Sequence, residues 1–321
     1  MPRITSADVA REAGLSRATV SYVLNDDPRQ RIPDETRRRV LEAASRLGYT
    51  PYGPARLLRG ARGRTVLLVT PTLATAAEPV GSAIVSALAE ALHGHGLELL
   101  WQLGAPHAAM ASDLAPVMVL TSLGEDEVGF AQLTARTTAP VRSVFPGLDE
   151  FQAAPGAAQV DHLADRGHLQ LAYAASADPH LDRPSGLRRE AVLGRAAERD
   201  LPPPRVFAMP LDRPAARAAL HTLLTDDPRP TAVCAYNDRV AMATLAAAYD
   251  LGMAVPQDLA VIGVDDDPLA ELTSPALSSV TADLGDFVSR LAADVAAGIA
   301  GEESRGVRLP TWPVVVPRDS S

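Results

Sequence analysis

The chain has 321 residues, 47% hydrophobic and 21% charged, with a net charge of −9 and one cysteine. These values describe a soluble globular protein with room for a small domain beside a large one, and they exclude an internal disulfide and a thiolate metal cluster. Arg3, Asp8 and Arg11 interrupt the start and no apolar run reaches bilayer length, so neither a leader nor a membrane span is expected and the cytoplasm is the expected location.

Residues 1–64 hold thirteen arginines against seven acids, a balance of +6, which leaves −15 on the rest. A basic module joined to an acidic body suits phosphate binding at one end. Thr5-Ser6-Ala7-Asp8 reads as a capping box opening a short helix, with Val9, Ala10 and Ala13 on its apolar side. Gly14 follows where a left-handed C-cap is wanted, and Leu15 can pack back. Ser16 caps a second helix, Arg17 to Leu24, and a third is predicted from Asp34 to Leu47. Two short helices around a Gly-containing turn make a helix-turn-helix. In the second, Val20, Val23 and Leu24 face the core and leave Arg17, Ala18, Ser21 and Tyr22 outside, where a recognition helix meets base edges. Arg17 can donate twice to guanine, and the Ala18 methyl can touch thymine. The competing reading is a plain helical hairpin with a solvated face.

Between Pro51 and Arg64 only about six residues, Ala55–Gly60, can be helical, too few to be stable alone. Taken by itself the stretch reads as a flexible linker whose Arg56, Arg59, Arg62 and Arg64 touch phosphates nonspecifically.

Beyond Arg64, short β-rich runs alternate with helical ones. Strands are predicted at Thr65–Thr70, Leu97–Leu103, Val117–Thr121, Val141–Phe145, Leu169–Ala174, Thr231–Ala235 and Leu259–Val264. Apolar strands separated by helices indicate parallel sheets covered on both faces. Ligands bind such sheets outside the carboxyl ends of the strands. Asn237 and Asp238 follow one predicted strand, Asp265 another, and Arg183 is expected in the loop beyond Leu169–Ala174. A fork of donors and a pair of acceptors suit a polyol. The alternative is that Asn237 and the acids only cap helices.

His93 and His95 have no third ligand nearby and fit a helix C-terminus; Cys234, in an apolar run, fits an inert buried thiol. No nucleophile-elbow, phosphate-loop or zinc-protease spacing occurs, so neither an enzyme nor a cofactor or metal is expected. An enzyme or an exported solute-binding protein on the same α/β core remains the alternative class.

The run Asp8-Val9-Ala10, Ala13-Gly14-Leu15-Ser16, Thr19-Val20-Ser21, Val23-Leu24-Asn25 resembles the start of the LacI/GalR family of regulators. The resemblance continues through Glu35-Thr36-Arg37, Leu47-Gly48-Tyr49 and Ala55-Arg56-Leu57-Leu58. In the core it resumes at Pro230-Thr231-Ala232-Val233, Asn237-Asp238, Val261-Ile262-Gly263 and Asp265-Asp266. It implies an all-α helix-turn-helix domain (1–50), a hinge (51–64), and an α/β bilobed periplasmic-binding-protein-like core of two parallel-sheet lobes (65–321). The chain is expected to change lobes near Phe145–Ala154 and Ser279–Leu284. Implied DNA contacts are Thr5, Ser16, Arg17, Ala18, Thr19, Ser21, Tyr22 and Asn25, with Ala55, Arg56, Leu58 and Arg59 in the hinge; Leu58 matches the family's minor-groove wedge. Arg183-Pro184-Ser185-Gly186-Leu187 fits the family's Arg-x-x-Gly pattern, so Arg183, Asn237, Asp238 and Asp265 are the implied effector contacts. The expected partners are a near-palindromic double-stranded DNA operator, a second copy of the chain, and a small-molecule effector such as a sugar, with no membrane. A dimer rather than a tetramer is expected, because Pro317–Ser321 carries no heptad helix.

Departures from the family fall at Tyr22, at a longer Asp26–Ile32 stretch, and around the first lobe's share of the cleft. Pro71–Pro79 offers no aromatic, Gly104–Pro116 is short for a crossover helix, Phe145-Pro146 replaces an acidic strand end, and Ala282 stands where a polar residue is frequent. The variant expectation is therefore the same regulator with a degenerate or non-sugar pocket.

Overall fold

The computed structural model describes residues 5–24, 32–47, 63–70, 79–104, 116–125, 127–144, 148–225, 227–303, 307, 309 and 313–321. At the N-terminal end, α1 (Ser6–Ala13), α2 (Arg17–Leu24) and α3 (Asp34–Leu47) close around Val9, Ala10, Ala13, Val20, Val23, Val40, Ala43 and Ala44, a core of their own. The Thr5 N–H and hydroxyl both donate to the Asp8 carboxylate, at 2.9 and 2.7 Å, which holds that carboxyl below the usual range. Gly14 ends α1 at φ +64°, so the Leu15 N–H reaches the Ala10 carbonyl at 3.0 Å and the chain can turn at once into α2. Arg39 of α3 crosses to the Ala13 carbonyl at 2.7 Å, and Arg46 pairs with Glu12 at 3.3 Å. The turn and the third helix are thereby fixed together.

The first lobe holds β1 (Thr65–Thr70), α4 (Pro79–Gly94), β2 (Glu98–Leu103), β3 (Met118–Thr121), α5 (Val128–Thr134) and β4 (Val141–Ser143). Its strands are parallel, in the order β2-β1-β3-β4. Successive residues of β1 serve opposite faces: Val66 and Leu68 pack with Leu88 and Leu92 of α4, while Leu67 and Val69 pack with Leu133 of α5. A strand buried on both sides reads as an unbroken apolar run, which is why β1 was legible.

The second lobe runs through α6 (Leu148–Ala164), β5 (Leu171–Ser176), α7 (Asp182–Glu198), β6 (Arg205–Met209), α8 (Arg213–Leu224), β7 (Ala232–Ala235), α9 (Asp238–Asp250), β8 (Ala260–Val264) and β9 (Ser278–Thr281). With β10 (Val314–Val316) the sheet order is β10-β9-β8-β7-β5-β6, parallel except where β10 runs antiparallel to β9. Every residue of β7 and β8 is buried. Gly156 lets α6 press against α7, since a Cβ there would stand 2.6 Å from the Arg188 carbonyl.

After β9 the chain returns to the first lobe as α10 (Gly285–Ala300), whose Phe287, Val288, Leu291, Ala292 and Val295 join the Val66–Leu68 core. It comes back once more to add β10. The helical unit and the two parallel-sheet lobes are the fold class expected from sequence. Strands β6, β9 and β10 were not anticipated, β5 lies two residues later than expected, and β4 ends at Ser143.

Candidate functional site

The first candidate surface is α2. Val20 and Val23 are buried against α1 and α3, which leaves Arg17 and Ala18 exposed and Tyr22 37% exposed on the opposite side; Ser21 and Thr19 are half-buried at its margin. Ser16 Oγ accepts the Thr19 N–H at 3.1 Å, which caps the helix start, and lies 2.9 Å from the Thr19 hydroxyl. At the start of α1 the Thr5 hydroxyl instead donates to the Asp8 carboxylate. A helix N-terminus with a neighbouring arginine is suited to a phosphate and to base edges beyond it. Asn25, Ala55, Arg56, Leu58 and Arg59 lie outside the described residues.

The second candidate site is the carboxyl end of the second lobe's sheet, where β5, β7 and β8 deliver Ser176, Asn237 and Asp265. Asn237 is buried, and its Oδ1 accepts the Val240 N–H at 3.0 Å as the N-cap of α9. The capping alternative thus accounts for that oxygen. Asp265 is half-buried with φ +105°, and Asp266 follows at φ +56°. Two successive non-glycine residues in the left-handed region are costly, and such strain persists only where surrounding contacts impose it.

Arg183 is a correction. It sits in the first turn of α7 rather than in a loop, 72% exposed, and pairs with Asp149 of α6 at 2.7 Å. The arginine that reaches the strand ends is Arg188, one and a half turns further along α7 and only 4% exposed. Its guanidinium donates to the Tyr236 carbonyl and, at 3.1 Å, to the Gln152 carbonyl, and lies 4.9 Å from the Tyr236 ring centre. Two neighbours set its surroundings. Tyr173, fully buried, donates to the Ser185 carbonyl at 2.9 Å, and burial pushes its phenol up to about 12. Gln159 of α6, also fully buried, donates through Nε2 to the carbonyls of Ala235, Ile262 and Gly263 at 2.8, 3.1 and 3.2 Å, fastening the ends of β7 and β8 to each other.

Asp238 is turned into the protein. It is 1% exposed, and its two carboxylate oxygens accept the Ser279 hydroxyl and the Asp267 N–H, each at 2.7 Å. Burial raises its carboxyl to about 7, with Asp266 and Asp267 adding repulsion and the two hydrogen bonds opposing. Burial likewise pushes up the Cys234 thiol. His93 closes the last turn of α4, and among the described residues no three His, Cys, Asp or Glu side chains group to hold a metal. No helix among them is long and apolar enough to cross a membrane.

The first lobe's anticipated departures in Pro71–Pro79, Gly104–Pro116 and Phe145-Pro146 fall almost wholly outside the described residues. A surface hollow of about 390 Å³ between β6 and α8, lined by Arg205, Phe207 and Thr222 among others, starts at the opposite end of the sheet from Asn237 and Asp265.

Residues 5–52 match the family of bacterial regulatory proteins of the lacI type, and residues 160–321 match a periplasmic binding protein-like domain. The chain is 31% identical over 330 residues to the HTH-type transcriptional regulator CelR of Thermobifida fusca, covering 96% of this chain and 95% of that one. The structure of a transcriptional regulator CelR–cellobiose complex superposes with a TM-score of 0.67 at 25% identity, over 99% of this chain and all of that one. The lac repressor dimer bound to operator and the anti-inducer ONPF shares the fold, with a TM-score of 0.75 at 21% identity over 99% of both chains. With a helix-turn-helix that buries its own core and two parallel-sheet lobes behind it, this chain belongs to the LacI family of bacterial regulatory proteins and is a DNA-binding transcriptional regulator, not an enzyme.

Proposed function

We propose that two copies pair through their cores and set their α2 helices into adjacent major grooves of a near-palindromic operator, with occupancy controlled by a small molecule held between the lobes. The observation that carries this reading is α2 itself: Val20 and Val23 are buried while Arg17, Ala18 and Tyr22 stay outside, within residues 1–64 and their balance of +6. Residues 1–50 would bind DNA, 51–64 would act as the hinge with Leu58 as its minor-groove wedge, and 65–321 would pair and sense. Thr5, Ser16 and Thr19 would meet phosphates at the starts of α1 and α2, while Arg17, Ala18, Ser21 and Tyr22 would set sequence. The operator-bound lac repressor dimer supports the pairing, and the cytoplasm is the matching location.

For the effector we propose a sugar or related polyol met by Arg188, Asn237 and Asp265, with Arg188 taking the part expected of Arg183. The cellobiose-bound relative supports the class. A second reading, a regulator whose pocket is degenerate, draws on Arg188, whose donors turn to the Tyr236 and Gln152 carbonyls.

Titration of a selected duplex by fluorescence anisotropy tests the DNA reading. Arg17→Ala should lose about 1–3 kcal/mol on the selected site and much less on random duplex. Equal losses on both would make α2 a nonspecific phosphate contact.

A further inference from the structure

Asp238 occupies a junction that effector contact does not explain. It is the first residue of α9, directly after the N-cap Asn237, yet its carboxylate points away from solvent. One oxygen, Oδ2, accepts the Asp267 N–H; the other, Oδ1, accepts the Ser279 hydroxyl. The same Ser279 oxygen accepts the Asp266 N–H at 3.0 Å. Asp238 and Ser279 together therefore hold both residues that follow Asp265, at the point where the backbone runs left-handed. Gly263 leaves the room required, since a Cβ there would overlap the Asp238 carboxylate. Ser279 lies in β9, whose last residue, Thr281, is followed within four residues by α10 and the first lobe. The junction thus links a helix start, the strained turn and the strand that leaves the lobe.

We propose that Asp238 is a proton-sensitive positioning residue: its ionised carboxylate holds the Asp265–Asp267 turn and locks it to β9, and protonation reverses the lock. The chemistry follows from the donors. Oδ2 faces an N–H, which can only donate, so a proton entering from solvent must sit on Oδ1, where Ser279 Oγ can accept it. The Asp238–Ser279 hydrogen bond then runs the other way, and the Asp267 N–H keeps a neutral partner in place of a charged one. A charge-assisted bond is roughly twice as strong as a neutral one.

The surrounding charges favour uptake. From the β8 turn, Asp266 and Asp267 repel the ionised form, and Arg318 beyond β10 is paired with Asp266 at 2.7 Å. Arg188 of α7 is directed to the Tyr236 carbonyl, Arg213 of α8 pairs with Asp250 at the far end of α9, and β7 brings only the Cys234 thiol. The group's folded value of about 7 lies above its ordinary 3.8, so folding favours the protonated form. The stability this provides is full below the ordinary value and is lost as pH rises through about 7. The regulatory meaning of the lock rests on the effector reading of Asp265; the lock itself can be read with no effector present.

Asp238→Asn tests it, because the amide oxygen can still accept the Asp267 N–H while the amide nitrogen donates to Ser279, as the protonated acid does. Amide hydrogen exchange of the full chain, corrected for intrinsic rates, is measured at pH values about 1.5 units either side of the expected midpoint. In the wild type, a local opening of the turn that leaves Asp238 buried breaks only the hydrogen bonds that favour the ionised form, so protection at Asp266 and Asp267 should fall by up to about tenfold on acidification, the reverse of the global stability trend. Asp238→Asn should stay at the low-pH level throughout, and Ser279→Ala should lose Asp266 protection at both ends. Protection independent of pH in the wild type, or a wild-type inflection retained in Asp238→Asn, overturns the proposal. Should the variant fail to fold, a ¹³C titration of aspartate carboxyls in the wild type decides: a buried carboxyl titrating near neutrality supports the lock, and all carboxyls titrating in the ordinary range overturn it. Failure of the effector reading would appear separately, as an intact lock in a core that binds no sugar.

Discussion

The Arg188 guanidinium stacks on the ring of Tyr236, 4.9 Å from its centre, and donates to the carbonyl of that same tyrosine. One side chain thereby fixes the segment between β7 and α9, where Asn237 begins its helix. Arg188→Ala removes a charged donor and strands a buried carbonyl, at a cost of about 2–3 kcal/mol in urea unfolding. Arg183→Ala breaks only an exposed pair with Asp149 and should stay within about 0.5 kcal/mol of the wild type. Equal costs would mean that Arg188 is not the arginine that orders the strand ends.

Gln159 bridges the ends of β7 and β8 through a single nitrogen, and its Oε1 is among the buried atoms with no hydrogen-bond partner. Gln159→Leu keeps the volume and deletes the bridge. The urea midpoint should fall, by about 1–3 kcal/mol at an unchanged slope. An unaltered midpoint would show that the three carbonyls are satisfied without it.

Much of this architecture is legible in the sequence. Thr5, Asp8, Gly14 and Ser16 marked α1 and α2 to the residue, because caps are local chemistry between side chain and neighbouring backbone. Strands β1, β7 and β8 showed themselves as apolar runs. Strand β9 did not, because it opens with Ser278 and Ser279, which are buried only because Ser320, Arg318 and Asp238 satisfy them from distant parts of the chain. Strand β6 follows three prolines and alternates exposed with covered residues at the sheet edge, so no run announces it. Arg183 was expected in a loop and lies in α7 for a related reason. A four-residue pattern in an arginine-rich helix says nothing of which arginine the helix turns toward the sheet.

Gly14 turns α1 into α2 at φ +64°, and a Cβ there would stand 3.3 Å from Arg39 Nη2. Gly14→Ala should destabilise the helical unit by about 1 kcal/mol. Hydrogen exchange should locate the loss in residues 5–47 and leave the second lobe's strands as protected as before.

His162 has a folded value of about 4 against an ordinary 6.5, chiefly through burial and then through Arg166. Between those values the unfolded chain binds the proton that the folded chain refuses, so stability falls as pH drops through that window. His162 Nε2 lies 2.8 Å from Ser321 Oγ, a contact that suits the neutral ring. His162→Asn should flatten that part of the pH profile in paired urea titrations; parallel profiles for the two proteins would assign the dependence to other groups.

The effector class can be read by thermal melting of the full chain against sugars, sugar phosphates, nucleosides and nucleobases. A ligand at about a hundred times its dissociation constant adds about 2.7 kcal/mol to the folded state. Arg188→Lys should weaken such a hit, since a point charge cannot replace a planar fork. A cooperative melt with no shift across the panel would favour the degenerate pocket.

The central claim, a paired helix-turn-helix reading symmetric DNA, is tested most directly by selecting binding sites for the full chain from random duplexes. The account predicts two half-sites related by two-fold symmetry at one fixed spacing, and loss of base preference within each half when Arg17 is replaced by alanine. Enrichment of asymmetric sites, of single strands, or of nothing beyond the input pool would contradict it.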